Sequence, residues 1–163
     1  MVREKTVSDK RASASEEDEL DILAENITRI LEEGYAQTYS PKVIAEFRNP
    51  SNVGLLEDAD GKGVADGLCN DTIEMYIKVR NRRIVACTFM TDGCGATIAC
   101  ASRLTRFVKG MAVDEAMMVT PNDLISLLNG LPEEHRHCAA LAVLALRNAI
   151  RDHQSRRKKE AKA

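Results

Sequence analysis

Polar and apolar residues follow a strand-like order in two neighbouring segments near the middle of the chain, residues 72–80 and 83–91. Along the first segment every second residue is apolar, which is the period of a strand with one buried face. Asn81 and Arg82 separate the segments, and two such residues suit a tight turn between antiparallel strands. The pattern therefore predicts a hairpin, preceded by loops over the turn-forming residues of positions 49–67.

Helical spacing replaces this alternation after Gly93. One helix is predicted from there to Gly110, a shorter one over residues 121–128, and a long one that begins at Pro132. These elements predict a folded body over residues 39–154. The apolar face of the long helix is made by Leu141, Leu144, Ala145 and Ile150.

The first 38 residues are polar and acidic, and an amphipathic helix is predicted within them. Ser15 is placed to cap this helix and Gly34 to end it. We expect its apolar stripe to pack on the body or on a partner. The expected organisation is thus an acidic extension (1–38), a folded domain (39–154) and a basic tail (155–163). The stripe consists of Leu20, Leu23, Ile27, Ile30 and Leu31.

Composition limits the classes of function. The chain has 163 residues, of which 44% are hydrophobic and 29% charged, as in a soluble globular protein. No apolar stretch approaches the roughly 18 residues of a membrane span, and the N-terminus does not form a secretory signal. A net charge of −2, the absence of Trp and an aromatic content of 4% argue against a nucleic-acid partner. We expect a cytoplasmic protein.

The five cysteines are the unusual feature, since an odd number without an export signal argues against disulfides. Cys69 and Asp71 are two apart, so in an extended chain they point to the same side. Cys94 stands at a strand-to-helix turn, and His137 precedes Cys138 in the long helix. Such positions favour thiolates, and three thiolates with Asp or His match zinc or iron–sulfur ligation. Separate buried cysteines remain the alternative, because no CxxC pair is present.

Short segments in collinear order carry a further signal. They are Tyr-Ser-Pro-Lys-Val-Ile (39–44), Asn-Pro-Ser-Asn-Val-Gly (49–54), Cys-Asn-Asp (69–71), Ile-Lys-Val (77–79), Asp-Gly-Cys-Gly-Ala (92–96) with its continuation to 105, Val-Lys-Gly (108–110) and His-Cys-Ala-Ala-Leu-Ala (137–142). Together they resemble the IscU/NifU N-terminal family, which are scaffolds for iron–sulfur cluster assembly. The resemblance implies an α+β fold with a small three-stranded, mostly antiparallel sheet and helices packed on one face.

The resemblance also implies a role. A cysteine desulfurase passes persulfide sulfur to a scaffold cysteine, iron and electrons join it, and a transient [2Fe–2S] cluster passes to an apo acceptor protein. An electron donor such as ferredoxin is a further implied partner. The chain would be a carrier and not an enzyme, and a monomer or weak homodimer. The alternative is a sulfur relay of the same fold that only transfers persulfide, with Zn²⁺ in its resting site.

By position, the resemblance implies that Cys69, Cys94 and Cys138 hold the cluster, with Cys138 as the sulfur acceptor. Asp71 corresponds to the acid that binds iron and keeps the cluster labile. His137 corresponds to the alternative fourth ligand. These five residues are the implied metal ligands.

The sequence departs from the family pattern beside these residues. Asn70 replaces a Gly between Cys69 and the acid, and Asn tolerates left-handed backbone better than most residues. The family's Leu-Pro-Pro-Val-Lys motif reads Leu-Pro-Glu-Glu-His at 131–135, which argues against the dedicated Hsp70-type chaperone as a partner. His135 therefore replaces a Lys, and we expect it to assist or exchange with a ligand, with His137 the more direct one.

The remaining thiols and imidazole have structural explanations. Cys87 alternates with Phe89 in a strand, and Cys100 lies on the helix after Cys94, so both are expected to pack in the core. His153 is near the end of the last helix and is expected at the surface.

Overall fold

The computed structural model describes residues 16–162, which fold into six α-helices, three strands and one 3₁₀ turn. The chain divides into two units, Met1–Gln37 and Thr38–Ala163. In chain order the elements are α1 (Glu16–Thr38), α2 (Pro41–Arg48), β1 (Gly61–Asp66), β2 (Thr72–Arg80), β3 (Arg83–Thr91), α3 (Gly95–Val108), α4 (Val113–Met118), α5 (Pro121–Leu127), the 3₁₀ turn (Glu133–His135) and α6 (Arg136–Glu160).

The sheet has the order β1-β2-β3, and both pairs of strands are antiparallel. The predicted hairpin is confirmed with its predicted bounds. Asn81 and Arg82 have φ angles of 50° and 63°, as a two-residue turn matched to the strand twist requires. The α+β class and the small antiparallel sheet are therefore as expected.

One face of the sheet carries the core. Ile73, Met75 and Ile77 of β2 are fully buried, as their alternation predicts. On this side α6 packs on β1 and β2, while α3 packs on β3 and on α6. On the opposite side Tyr76 is also 95% buried, and the ammonium group of Lys62 lies 5.3 Å from the centre of its ring. The helices thus cover one face, and long polar side chains cover part of the other.

The first strand is the main feature that the sequence pattern missed, since residues 61–66 were expected in loops. Gly61 and Gly63 of β1 face α6. A Cβ atom at Gly61 would lie 2.2 Å from the carbonyl oxygen of Ala149, and one at Gly63 would lie 2.1 Å from that of Ala145. Only glycine permits this approach of two backbones, so the buried positions of β1 carry no large apolar residue to reveal the strand.

The outer helices correct two further expectations. α1 continues past Gly34 to Thr38, because one glycine in a helix costs only about 1 kcal/mol relative to Ala. Its proposed cap, Ser15, lies outside the described residues. His153 is 93% buried and not at the surface, because α6 extends across β1 and places it beside Gly61.

The apolar stripe of α1 is exposed, since each of its five members leaves half or more of its surface accessible. Its packing on the body or on a partner stays a prediction. α6 runs through the first part of the predicted basic tail and ends at Glu160. None of the helices in the described part of the chain is long and apolar enough to cross a membrane.

The glycine contact makes a stability prediction. We expect Gly63→Ala to lower the free energy of unfolding of the 38–163 unit by about 1–3 kcal/mol or more, because the new methyl group overlaps the backbone of α6. Val64→Ala, on the exposed side of the same strand, is the matched control and should change it by about 0.5 kcal/mol or less. Urea denaturation followed by circular dichroism measures both. Equal losses in the two variants would contradict this account of β1.

Candidate metal centre

Three chain segments meet at one end of the sheet: the loop after β1, the start of α3 and the start of α6. Cys69 in the first segment has its Sγ 3.2 Å from Nε2 of His137 in the third. Asp71 in the first segment accepts a hydrogen bond from the backbone N–H of Cys94 in the second, at 3.4 Å. All five sequence-predicted site residues therefore lie in this one region.

The loop that carries Cys69 is closed by backbone hydrogen bonds. The N–H of Gly67 donates to the carbonyl of Asp71 at 2.7 Å, and the N–H of Asn70 donates to that of Gly67 at 3.2 Å. Asn70 has a φ of 60°, in the left-handed region that Asn tolerates. The replacement of Gly by Asn thus keeps a tight loop, which leaves the Cys69 thiol exposed.

Asp71 ties this loop to α3. Its Oδ2 accepts from the hydroxyl of Thr97 at 2.7 Å as well as from the N–H of Cys94, so the carboxylate is bound to the start of α3, where the helix dipole favours negative charge. A Cβ at Gly93 would lie 2.8 Å from the same oxygen, which explains a glycine at that position. Sequence reasoning missed Thr97. The sequence feature that could have identified Thr97 is its position three residues after Cys94, which places both side chains on the same side of the first helical turn.

Four of the five predicted residues form, with His135, two adjoining groups that share Cys138. In one group, Nε2 of His137 lies 3.2 Å from the Cys69 sulfur and 3.6 Å from that of Cys138. In the other, the ligand atoms of Cys94, His135 and Cys138 all lie within 4.8 Å of one another. The Cys94 thiol is exposed and the Cys138 side chain is buried. The second group has the donor types of a zinc site, with one histidine and two cysteines.

His135 lies close to Cys94 and Cys138 because the backbone before α6 forms a 3₁₀ turn. It ends the 3₁₀ turn before α6, so it and His137 are not two residues apart on one regular helix, where they would diverge by about 200°. The centroid of its ring lies 5.5 Å from that of Tyr39 and 6.4 Å from that of His137. Within residues 16–162, Nδ1 of His135 is buried and has no hydrogen-bond partner.

Comparison with known proteins decides the family. Residues 38–160 match the family model of the NifU-like N terminal domain. The chain belongs to this family. The iron–sulfur cluster assembly scaffold protein IscU 1 of Archaeoglobus fulgidus is 46% identical over 116 residues, which are 71% of this chain and 76% of that protein. The protein named IscU of Escherichia coli K12 is 38% identical over 125 residues, or 73% and 96% of the two chains.

Solved structures agree on the fold of the NifU-like domain. The crystal structure of an N-terminal NifU-like protein from Brucella abortus superposes with a TM-score of 0.58 at 20% identity, over 71% of this chain and 94% of the other. At this identity the likeness supports the fold alone.

Burial determines the pKa values of three thiols in this NifU-like domain. Burial raises the pKa of Cys138 to about 11, and although a hydrogen bond with Thr97 lowers it, the neighbouring Cys94 raises it further. The expectation that its position near a helix start favours the thiolate is therefore wrong for Cys138. Burial also raises the pKa of Cys87 to about 12 and that of Cys100 well above its usual value. Both thiols lie in the core, as expected.

These differences predict an order of reactivity. In the metal-free NifU-like domain at about pH 8, iodoacetamide should modify exposed Cys69 and Cys94 well before Cys138, because a pKa near 11 leaves roughly one Cys138 in a thousand as thiolate. The rate at Cys138 should then rise about tenfold for each pH unit up to its pKa. Peptide mass spectrometry measures each site, with buried Cys87 and Cys100 as internal controls. Equal rates at Cys138 and Cys94 at pH 8 would contradict the assignment.

Proposed function

We propose that this NifU-like domain, residues 39–154, is a scaffold that assembles a transient [2Fe–2S] cluster and passes it to apo acceptor proteins. The observation that carries the proposal is the convergence of Cys69, Cys94 and Cys138 with two imidazoles and a carboxylate at one end of the sheet. Thiolates are the usual protein ligands of iron–sulfur clusters. Relatives named as assembly scaffolds support the same role. The protein thus acts as a carrier and not as an enzyme.

Sulfur arrives as a persulfide from a cysteine desulfurase, and Cys138 is its acceptor. The Cys138 thiolate attacks the terminal persulfide sulfur, the S–S bond of the donor breaks, and the desulfurase cysteine leaves as a thiolate. Because burial keeps the Cys138 thiol protonated, the step needs a base. Nε2 of His137, 3.6 Å from the sulfur, is placed to take the proton.

Cluster formation then requires iron and electrons. Two persulfide sulfurs need four electrons to become sulfide. Oxidation of two ferrous ions to the ferric state supplies two of them, and an external donor such as ferredoxin supplies the other two. The cluster is the cargo of the protein: Cys69, Cys94 and Cys138 hold it, with Asp71 or a histidine in the fourth position.

The arrangement also supports release of the cargo. Two of the three thiolates, those of Cys69 and Cys94, are exposed, so an acceptor protein can reach their side of the cluster. Asp71 is a hard oxygen donor beside soft thiolates, and its Oδ2 already accepts two hydrogen bonds. A ligand that binds iron weakly keeps the cluster labile.

A zinc-bound sulfur relay is the second candidate, and the Cys94, His135 and Cys138 group favours it. In that function zinc occupies the resting site and Cys138 transfers persulfide without building a cluster. The free cysteines support a reducing compartment such as the cytoplasm for either function.

The sulfur step makes the first functional prediction. After turnover with a desulfurase and cysteine, we expect mass spectrometry to find persulfide on Cys138, and Cys138→Ser to abolish it. Cys100→Ser removes a buried thiol of the same region and is the matched control, which should keep normal loading. Persulfide found mainly on Cys87 or Cys100 of the parent chain would refute the assignment of the acceptor.

The second functional prediction concerns the proposed role of Asp71 as a ligand. Asp71→Ala should lengthen the lifetime of the reconstituted cluster severalfold and slow its transfer to an apo-ferredoxin, because the weakly held ligand is lost. Asp71→Asn should behave likewise, because it loses the carboxylate ligand but can still accept the hydrogen bonds of Thr97 and Cys94. Asp92→Ala, at a carboxylate that accepts from the N–H of Thr72 in the same region, is the control. Parent-like decay of visible absorbance in both Asp71 variants would remove Asp71 from the mechanism.

A further inference from the structure

We propose that His135 binds metal directly and completes, with Cys94 and Cys138, a three-donor site for a zinc-like divalent cation. The inference deepens the proposed function and rests on it only in that two of these thiolates also hold the cluster. Its consequence is that a cation at this site covers the sulfur acceptor while Cys69 and Asp71 remain outside the donor set.

The donor atoms are already close to the spacing of a bound ion. The ligand atoms of Cys94, His135 and Cys138 lie within 4.8 Å of one another. Zinc bonds of about 2.3 Å to sulfur and 2.0–2.1 Å to nitrogen place the donors of a tetrahedral site roughly 3.5–3.8 Å apart. Shifts of about 1 Å therefore suffice to bind the ion, with a fourth position left for water or substrate.

His135 also has an atom that needs a partner. Its Nδ1 is buried, and no described residue forms a hydrogen bond with it. Buried polar atoms are normally satisfied, and a metal ion in contact with the two thiolates would satisfy this one. On binding, the imidazole acts as the neutral form, and each cysteine thiol releases its proton to solvent.

The three other candidate ligands, Cys69, His137 and Asp71, already have partners. Nε2 of His137 contacts the sulfurs of Cys69, at 3.2 Å, and Cys138, at 3.6 Å. Oδ2 of Asp71 accepts from the Thr97 hydroxyl and from the N–H of Cys94, which holds the carboxylate at the start of α3. Sequence reasoning preferred His137 over His135 as the direct ligand, but the contacts of the two rings favour His135.

Packing fixes the His135 ring on the correct side. The 3₁₀ turn ends at His135, and Tyr39 packs against the ring with centroids 5.5 Å apart. The ring therefore does not need to rotate into solvent or cross α6 to reach the thiolates. A histidine here gives the chain a donor that a protonated lysine could not supply.

Titration of the metal-free full-length protein with Co²⁺ alone, and with Zn²⁺ alone, tests this proposal. We expect His135→Ala to weaken both affinities at least tenfold and to shift the ligand-field bands of bound Co²⁺. Glu134→Ala, at an exposed carboxylate in the same 3₁₀ turn, is the matched control and should change affinity by less than about threefold. In ¹⁵N-histidine-labelled parent protein, Zn²⁺ should shift the Nδ1 resonance of His135. This measurement does not depend on the folding of any variant. Zn²⁺ should also protect Cys138 from iodoacetamide in the parent.

A His135 resonance that Zn²⁺ leaves unchanged overturns the proposal, as does parent-like Co²⁺ affinity and spectrum in a folded His135→Ala. Loss of the site in His137→Ala alone gives the ligand role to His137. These readouts involve no desulfurase, sulfide or acceptor protein. A chain that binds Zn²⁺ through His135 but never forms a cluster would refute the scaffold function and leave this inference intact. A chain that forms and transfers a cluster, but whose Zn²⁺ affinity does not depend on His135, would refute this inference and leave the scaffold function intact.

Discussion

Gly61 and Gly63 let α6 lie with its backbone against β1, and the position of the candidate metal centre depends on this contact. The two glycines face Ala149 and Ala145 of α6, so the strand and the helix run in opposite directions. Just past the end of the strand, a Cβ at Gly67 would lie 3.0 Å from the Leu141 side chain. The start of α6, with Cys138, is therefore fixed beside the end of β1, where the chain enters the Cys69 loop.

The second fixed point is the N-terminus of α3. Asp71 follows in the same loop and accepts hydrogen bonds from the Thr97 hydroxyl and the N–H of Cys94, and Cys94 lies within reach of Cys138. The result is a candidate site with unequal thiols: two lie at the surface, and one is buried, where protonation is favoured. A metal ion that bound the Cys138 thiolate would have to displace that proton.

The sequence was informative where the polarity or chemistry of a side chain depends on its place in the fold. The alternation over β2 located the hairpin, and the Cys, Asp and His residues at element ends indicated the region of the site. The sequence was uninformative where backbone geometry alone determines the presence or the end of an element. β1 is buried through glycines, which have no hydropathy signal, and the end of α1 was misplaced because Gly34 is tolerated within a helix. The place of His135 depends on a 3₁₀ turn before α6, which periodicity does not reveal.

Anaerobic reconstitution of the full chain with ferrous iron, cysteine and a cysteine desulfurase, followed by addition of apo-ferredoxin, tests the scaffold function most directly. The account predicts a visible chromophore with equal amounts of iron and sulfide that leaves this protein and appears on the ferredoxin. A colourless protein that retains one zinc ion and carries only persulfide would contradict it.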